Sequence, residues 1–142
     1  RDVVCAISSS GRTPYALGAL RKAREVGAAT VAVYCNPGAV LGQFADISIV
    51  PETGPEVVAG STRMKAGTAQ KMVLNMLSTA TMVRLGRVSG NAMTHMRVSC
   101  GKLRYRATHI VMDKLGIGEA EAERRLEQAD WDLARALAAP AP

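Results

Sequence analysis

Aromatic side chains are scarce in this sequence: one Trp, one Phe and three Tyr make up 4% of 142 residues. Histidine occurs only at His95 and His109, too few for a zinc site with four clustered ligands, so no metal is expected. Cys5, Cys35 and Cys100 are odd in number and lack metal-ligand spacing. Cys5 and Cys35 sit in apolar, strand-like runs, so buried free thiols in a reducing cytoplasm are expected. Nowhere do about 18 apolar residues follow one another, which excludes a membrane-spanning helix. Acids are missing from one stretch: Arg84, Arg87, Arg97, Lys102, Arg104 and Arg106 precede the next acid, Asp113. That run is either an anion or nucleic-acid surface or a solvated helical face. With few aromatics and no nucleic-acid-binding signature, the solvated face is expected, and no nucleic-acid partner.

What is present suits a packed domain. Hydrophobic residues make up 48% and charged residues 21%, with a formal net charge of +6. "DVVCAIS" (2–8) and "TVAVYCN" (30–36) are short, β-branched and almost wholly apolar, as strands covered on both faces of a parallel sheet read. Between them, Thr13 suits a helix N-cap, Pro14 the first helical position and Gly27 the residue past the end. Ala16, Leu17, Leu20, Ala23 and Val26 keep helical spacing. Strand, helix and strand predict a right-handed βαβ unit. "ISIV" (47–50) is a brief third strand.

A long helix follows from the stretch "GSTRMKAGTAQK" (60–71) to Gly86, with Ala69, Met72, Val73, Met76, Leu77, Ala80 and Val83 in one stripe. Met64, Met72, Met76 and Met82 read as gap-filling core. Two helical stretches, 92–98 and 102–115, come next. Two short helices then break near Ala129–Asp130, with Leu126, Trp131, Leu133 and Leu137 facing one small core. A boundary near Gly116 divides 1–115 from a small helical module, 116–142. The chain begins at Arg1 and enters a strand by Val3, so it is expected to be the C-terminal piece of a longer protein.

Two loops carry the chemistry. "SSSGRT" leaves a strand and feeds a helix N-terminus. Its hydroxyls (Ser8, Ser9, Ser10, Thr13), Gly11 and the free helical N–H groups form an anion cradle or, more plainly, a capped polar turn. GxxxxGK[ST] spacing is absent, so it is not a Walker loop. The second loop breaks the charge rule for helix starts. Arg63 and Lys65 stand in the first turn, where the macrodipole is already positive. Ser61 or Thr62 can cap, but the acidic or amide partner of a capping box is missing. A bound phosphate facing Ser61, Thr62, Arg63 and Lys65 would complete the electrostatics, although solvent could absorb the mismatch. Glu56 is an acceptor for a sugar hydroxyl or a structural acid.

"SSSGRTPY", "CNPG", "GPEVVAGSTRMKAGTAQKMVLNMLST" and "GN" (90–91) together resemble the N-acetylmuramic acid 6-phosphate etherase family over nearly the whole chain. Ser8, Ser10, Gly11 and Thr13 also match the wider sugar isomerase (SIS) pattern S-x-S-G-x-T. The resemblance implies an α/β fold, a partial SIS-type parallel sheet flanked by helices, followed by a small C-terminal helical, ubiquitin-associated-like module. It implies a lyase that cleaves the D-lactyl ether of N-acetylmuramic acid 6-phosphate during cell-wall recycling. A base removes the C2 proton, lactate leaves C3, and water adds to the unsaturated intermediate, without metal or organic cofactor. The family's acid/base glutamates lie upstream of Arg1, so no catalytic residue is named, and neither Glu52 nor Glu56 falls in that motif. A homodimer with sites near the subunit interface is implied. Related sequences tend to have Asp, Asn and Asp where this chain has His95, Cys100 and Tyr105, which bears on the helix caps and a dimer contact. The alternatives are a non-catalytic sugar-phosphate sensor, similar to the glucokinase regulatory protein, and a SIS-containing transcription regulator. Upstream sequence separates them: paired glutamates, a second SIS copy or a helix-turn-helix.

Overall fold

The computed structural model describes residues 2–138 and divides into two compact units between Ser78 and Thr79. In the first, β1 (Val3–Ile7), β2 (Ala29–Val33) and β3 (Ile47–Ile49) form a parallel sheet in the order β1-β2-β3. Helix α1 (Pro14–Glu25) connects β1 to β2, with Thr13 at its N-cap, Pro14 at its first position and Gly27 at φ +73° beyond its end. All three strands and α1 stand where the apolar runs and punctuation residues put them. A 3₁₀ turn at Val40–Phe44 precedes β3.

The core lies between α1 and one sheet face, where Ala16 and Leu20 meet Ala6, Ala32, Tyr34, Ala39 and Leu41. The β2–β3 pairing is locked at one end by Thr30. Its N–H and hydroxyl both donate to Asp46 Oδ2, at 2.8 and 2.9 Å, and the Asp46 N–H donates back to the Thr30 hydroxyl at 3.0 Å. The other face of β1 differs from expectation. Val3 is 63% exposed, and Ile7 and Cys5 are also exposed. Alternate residues of a strand face opposite ways, and among the described residues only the face carrying Val4 and Ala6 is covered, Val4 half-buried and Ala6 buried. The expectation that Cys5 is buried is therefore corrected, and Cys35 is half-buried.

Helix α2 (Lys65–Arg84) crosses from the first unit into the second. Its one fully buried residue is Ala66. Met64, Met72 and Met76 are exposed, which corrects their reading as core, while Met82 is half-buried; of the stripe, Ala69 and Val73 are half-buried and Met72, Met76, Leu77, Ala80 and Val83 are exposed.

In the second unit, residues 92–98 are not helical. Strands β4 (Val88–Ser89) and β5 (Ala92–Met93) pair antiparallel around the two-residue turn Gly90–Asn91, with Gly90 at φ +62°. A two-residue loop opening on a left-handed glycine is a hairpin turn, and this signal outweighs the apolar spacing that suggested a helix. Helices α3 (Gly101–Leu115), α4 (Glu119–Gln128) and α5 (Leu133–Ala138) share one core of Ala107, Val111, Ala122, Leu126, Ala129, Leu133 and Ala136. Trp131 and Leu137 pack against it. Helix α3 contributes Ala107 and Val111 to this core, within the second unit, which starts at Thr79. The cations of the 84–106 run are all exposed, and the Arg104 guanidinium stacks 4.6 Å from the Trp131 ring centre.

Candidate functional site

The carboxyl ends of the three parallel strands open onto one cavity of about 480 Å³. Ser9 and Ser10, which follow β1, line it together with Cys35, Asn36 and Pro37 after β2 and Glu52 to Pro55 after β3. The remaining wall comes from Glu56, Gly60, Thr62 and Ala66. Ligands of open α/β sheets gather at this end because the loops there are free to diverge while the strands hold their bases fixed.

The first loop is held by its own hydroxyls. Ser8 is buried, its Oγ lies 2.8 Å from Thr13 Oγ1, and it accepts the Gly11 N–H at 3.1 Å. Thr13 stands at the N-cap position but makes no side-chain cap. Ser10 Oγ accepts the Arg12 N–H at 3.3 Å. Gly11 serves packing: at φ +64° a Cβ there would sit 2.5 Å from Ala39 Cβ and 3.2 Å from the Tyr34 ring. Ser8, Gly11 and Thr13 therefore shape the loop, while Ser9 and Ser10 face the cavity.

At the second loop, the charge mismatch at the start of α2 has an internal answer. Glu56, nine residues ahead of the helix, accepts the Lys65 N–H on Oε2 and the Ala66 N–H on Oε1, both at 3.0 Å. The next N–H, of Gly67, goes to the Thr62 carbonyl at 2.9 Å. A carboxylate at a helix N-terminus satisfies orphan donors and opposes the positive end of the dipole. The cap thus comes from Glu56 instead of Ser61 or Thr62, a correction no local spacing rule anticipates. The N–H groups of Ala66 and Lys65 hold the Glu56 carboxyl below the usual carboxylate range. Lys65 turns its ammonium to the Pro55 carbonyl at 2.8 Å. Arg63 precedes the helix and is exposed. Of the second loop's expected residues, Glu56 and Thr62 line the cavity; Ser61, Arg63 and Lys65 do not. Each carboxylate oxygen of Glu56 keeps a further lone pair beyond its backbone bond, so the structural role leaves room for a hydroxyl donor.

Sequence reasoning missed Asn36, Glu52, Thr53 and Gly54 as lining residues. The rule that ligands collect beyond strand carboxyl ends, applied to β2 and β3, would have found them. It also missed Gln70, whose Oε1 accepts the Ser9 hydroxyl at 3.2 Å and so ties the first loop to α2. Among the described residues, no group of three or more His, Cys, Asp or Glu could hold a metal ion, and no helix is long and apolar enough to cross a membrane.

A parallel α/β unit with a hydroxyl-lined cavity at its strand carboxyl ends defines a class of small-ligand-binding domain. The sequence pattern of the SIS domain matches residues 1–80, and the chain belongs to that family. Over 136 residues it is 53% identical to an N-acetylmuramic acid 6-phosphate etherase of Geobacillus thermodenitrificans (strain NG80-2), covering 96% of this chain and 46% of that protein. A protein of the same name from Symbiobacterium thermophilum is 54% identical over 138 residues, covering 97% of this chain and 46% of the relative. One from Yersinia pestis (strain Pestoides F) is 50% identical over 136 residues, with 96% and 46% covered. The chain spans about half the length of these curated relatives.

Proposed function

We propose that the whole protein is an N-acetylmuramic acid 6-phosphate etherase, a carbon–oxygen lyase. It releases D-lactate and N-acetylglucosamine 6-phosphate in the cytoplasm during amino sugar recycling. The observation that carries this reading is identity of 50–54% to proteins of that name across 96–97% of the chain. The cavity supports it. Hydroxyls of Ser9, Ser10 and Thr62 suit the phosphate, which belongs beside them and away from the ionised Glu56, since two anions repel. Glu56 then accepts a sugar hydroxyl with its remaining lone pairs. Ser8, Gly11 and Thr13 hold the first loop in shape, Ser61 and Arg63 flank the second, and Lys65 anchors Pro55.

The protein works as a homodimer in this reading. The exposed apolar residues Met72, Met76 and Leu77 of α2 are what a subunit contact requires. The base and acid that act on the C2 proton and the lactyl ether come from polypeptide beyond these 142 residues. The test is lactate release from N-acetylmuramic acid 6-phosphate by the whole protein. Stoichiometric lactate is expected, whereas binding without turnover would overturn the lyase assignment. The 142-residue chain alone is expected to release none.

A further inference from the structure

We infer that Gln70 sets the hydrogen-bond polarity of Ser9, and that this positioning residue lets the cavity take an anionic oxygen. The inference rests on the reading of the cavity as a sugar-phosphate site. Gln70 lies on α2 one turn beyond the cavity-lining Ala66, so both project from the same side of the helix. Its carboxamide is the meeting point of the first loop and α2. Ser9 Oγ donates to Oε1 at 3.2 Å, while the Nε2 donor is buried with no hydrogen-bond partner among the described residues. A buried amide donor without an acceptor is rare in folded proteins and calls for a physical reason.

A serine hydroxyl has one proton and two lone pairs. While that proton is committed to Gln70, Ser9 offers the cavity only lone pairs, which suit a hydroxyl or amide donor and repel a phosphate oxygen. Turning the carboxamide half a revolution about its terminal bond exchanges its ends. That torsion is broad and roughly two-fold, so the turn meets little intrinsic resistance. Nε2 then donates to Ser9 Oγ, the orphaned donor gains its acceptor, and the Ser9 O–H is released toward the cavity. The group left unpaired is the carbonyl, the more readily tolerated orphan. The second arrangement is the better paired of the two, and an anionic oxygen favours it further, because only there does Ser9 donate. An amide can play both parts. A carboxylate can only accept, and a thioether leaves the Ser9 proton free.

The test is a binding cycle on the whole protein, titrating N-acetylglucosamine 6-phosphate calorimetrically into the native form, Gln70→Glu, Gln70→Met, Ser9→Ala and Ser9→Ala/Gln70→Glu. Circular dichroism melts confirm the fold of each. Gln70→Glu is expected to weaken binding about tenfold, and Gln70→Met by no more than about threefold. The Gln70→Glu loss should vanish in the Ser9→Ala background, and in the single variant it should shrink as acidification protonates the introduced carboxyl. Three results overturn the inference alone: native-like affinity of Gln70→Glu, Gln70→Met as weak as Gln70→Glu, or an undiminished loss in the Ser9→Ala background, which would mean direct charge repulsion. No binding by the native protein overturns the sugar-phosphate reading along with it.

Discussion

Helices α1 and α2 are both written as an apolar stripe at helical spacing, yet only α1 buries its stripe. Ala16, Leu20 and Ala23 of α1 vanish into the core over the sheet, whereas α2 buries Ala66 and leaves Met72, Leu74, Met76 and Leu77 exposed. Periodicity records that a face wants covering; it does not say what covers it. In α1 the cover is adjacent in sequence, supplied by the strands on either side. In α2 it is not among the described residues, and the relatives that share this helix are about twice as long as the chain. The helices also begin differently. Thr13 occupies the N-cap of α1 without a side-chain cap, while α2 takes its carboxylate from nine residues upstream.

Substitutions sharpen this contrast. Leu20→Ala removes a fully buried side chain and is expected to destabilise the first unit by about 2–5 kcal/mol in urea unfolding. Met76→Ala, at a residue 59% exposed, should cost within about 0.5 kcal/mol in the isolated chain, and a loss equal to that of Leu20→Ala would abolish the contrast. Between these extremes, Gly11→Ala forces a Cβ against Ala39 at φ +64° and should cost about 1–3 kcal/mol. Glu56→Gln tests the unusual start of α2. Folding lowers the Glu56 pKa, so its contribution is fully present above the unfolded carboxyl value and is lost as pH falls through the folded one. Acid titration of the native helix signal should therefore show a loss below about pH 4.3 that Glu56→Gln lacks. A modest gain is available at α3, whose N-cap Cys100 makes no side-chain cap. Cys100→Asn should raise stability by about 0.5–1 kcal/mol, and no gain would mean that solvent already serves those N–H groups.

The parts legible in the sequence are those governed by neighbours in the chain. Thr13, Pro14 and Gly27 bracket α1, and Gly116 at φ +66° ends α3, because caps and turns are local chemistry. Gly90–Asn91 is equally local, a two-residue turn signal that the expectation of a helix over 92–98 left out of account. The parts that escaped depend on distance. Glu56 reaching Lys65 and Gln70 reaching Ser9 join residues whose separation carries no periodic mark. The serines were recognisable as a cluster, but which of them face the cavity depends on Ser8 and Thr13 spending their hydroxyls on each other.

One experiment bears most directly on the cavity as a single sugar-phosphate site: amide hydrogen exchange of the whole protein with and without N-acetylglucosamine 6-phosphate. Slowed exchange in both residues 8–13 and residues 56–67 on addition of the ligand is expected. Slowing confined to one of these stretches, or absent from both at saturating ligand, would contradict it.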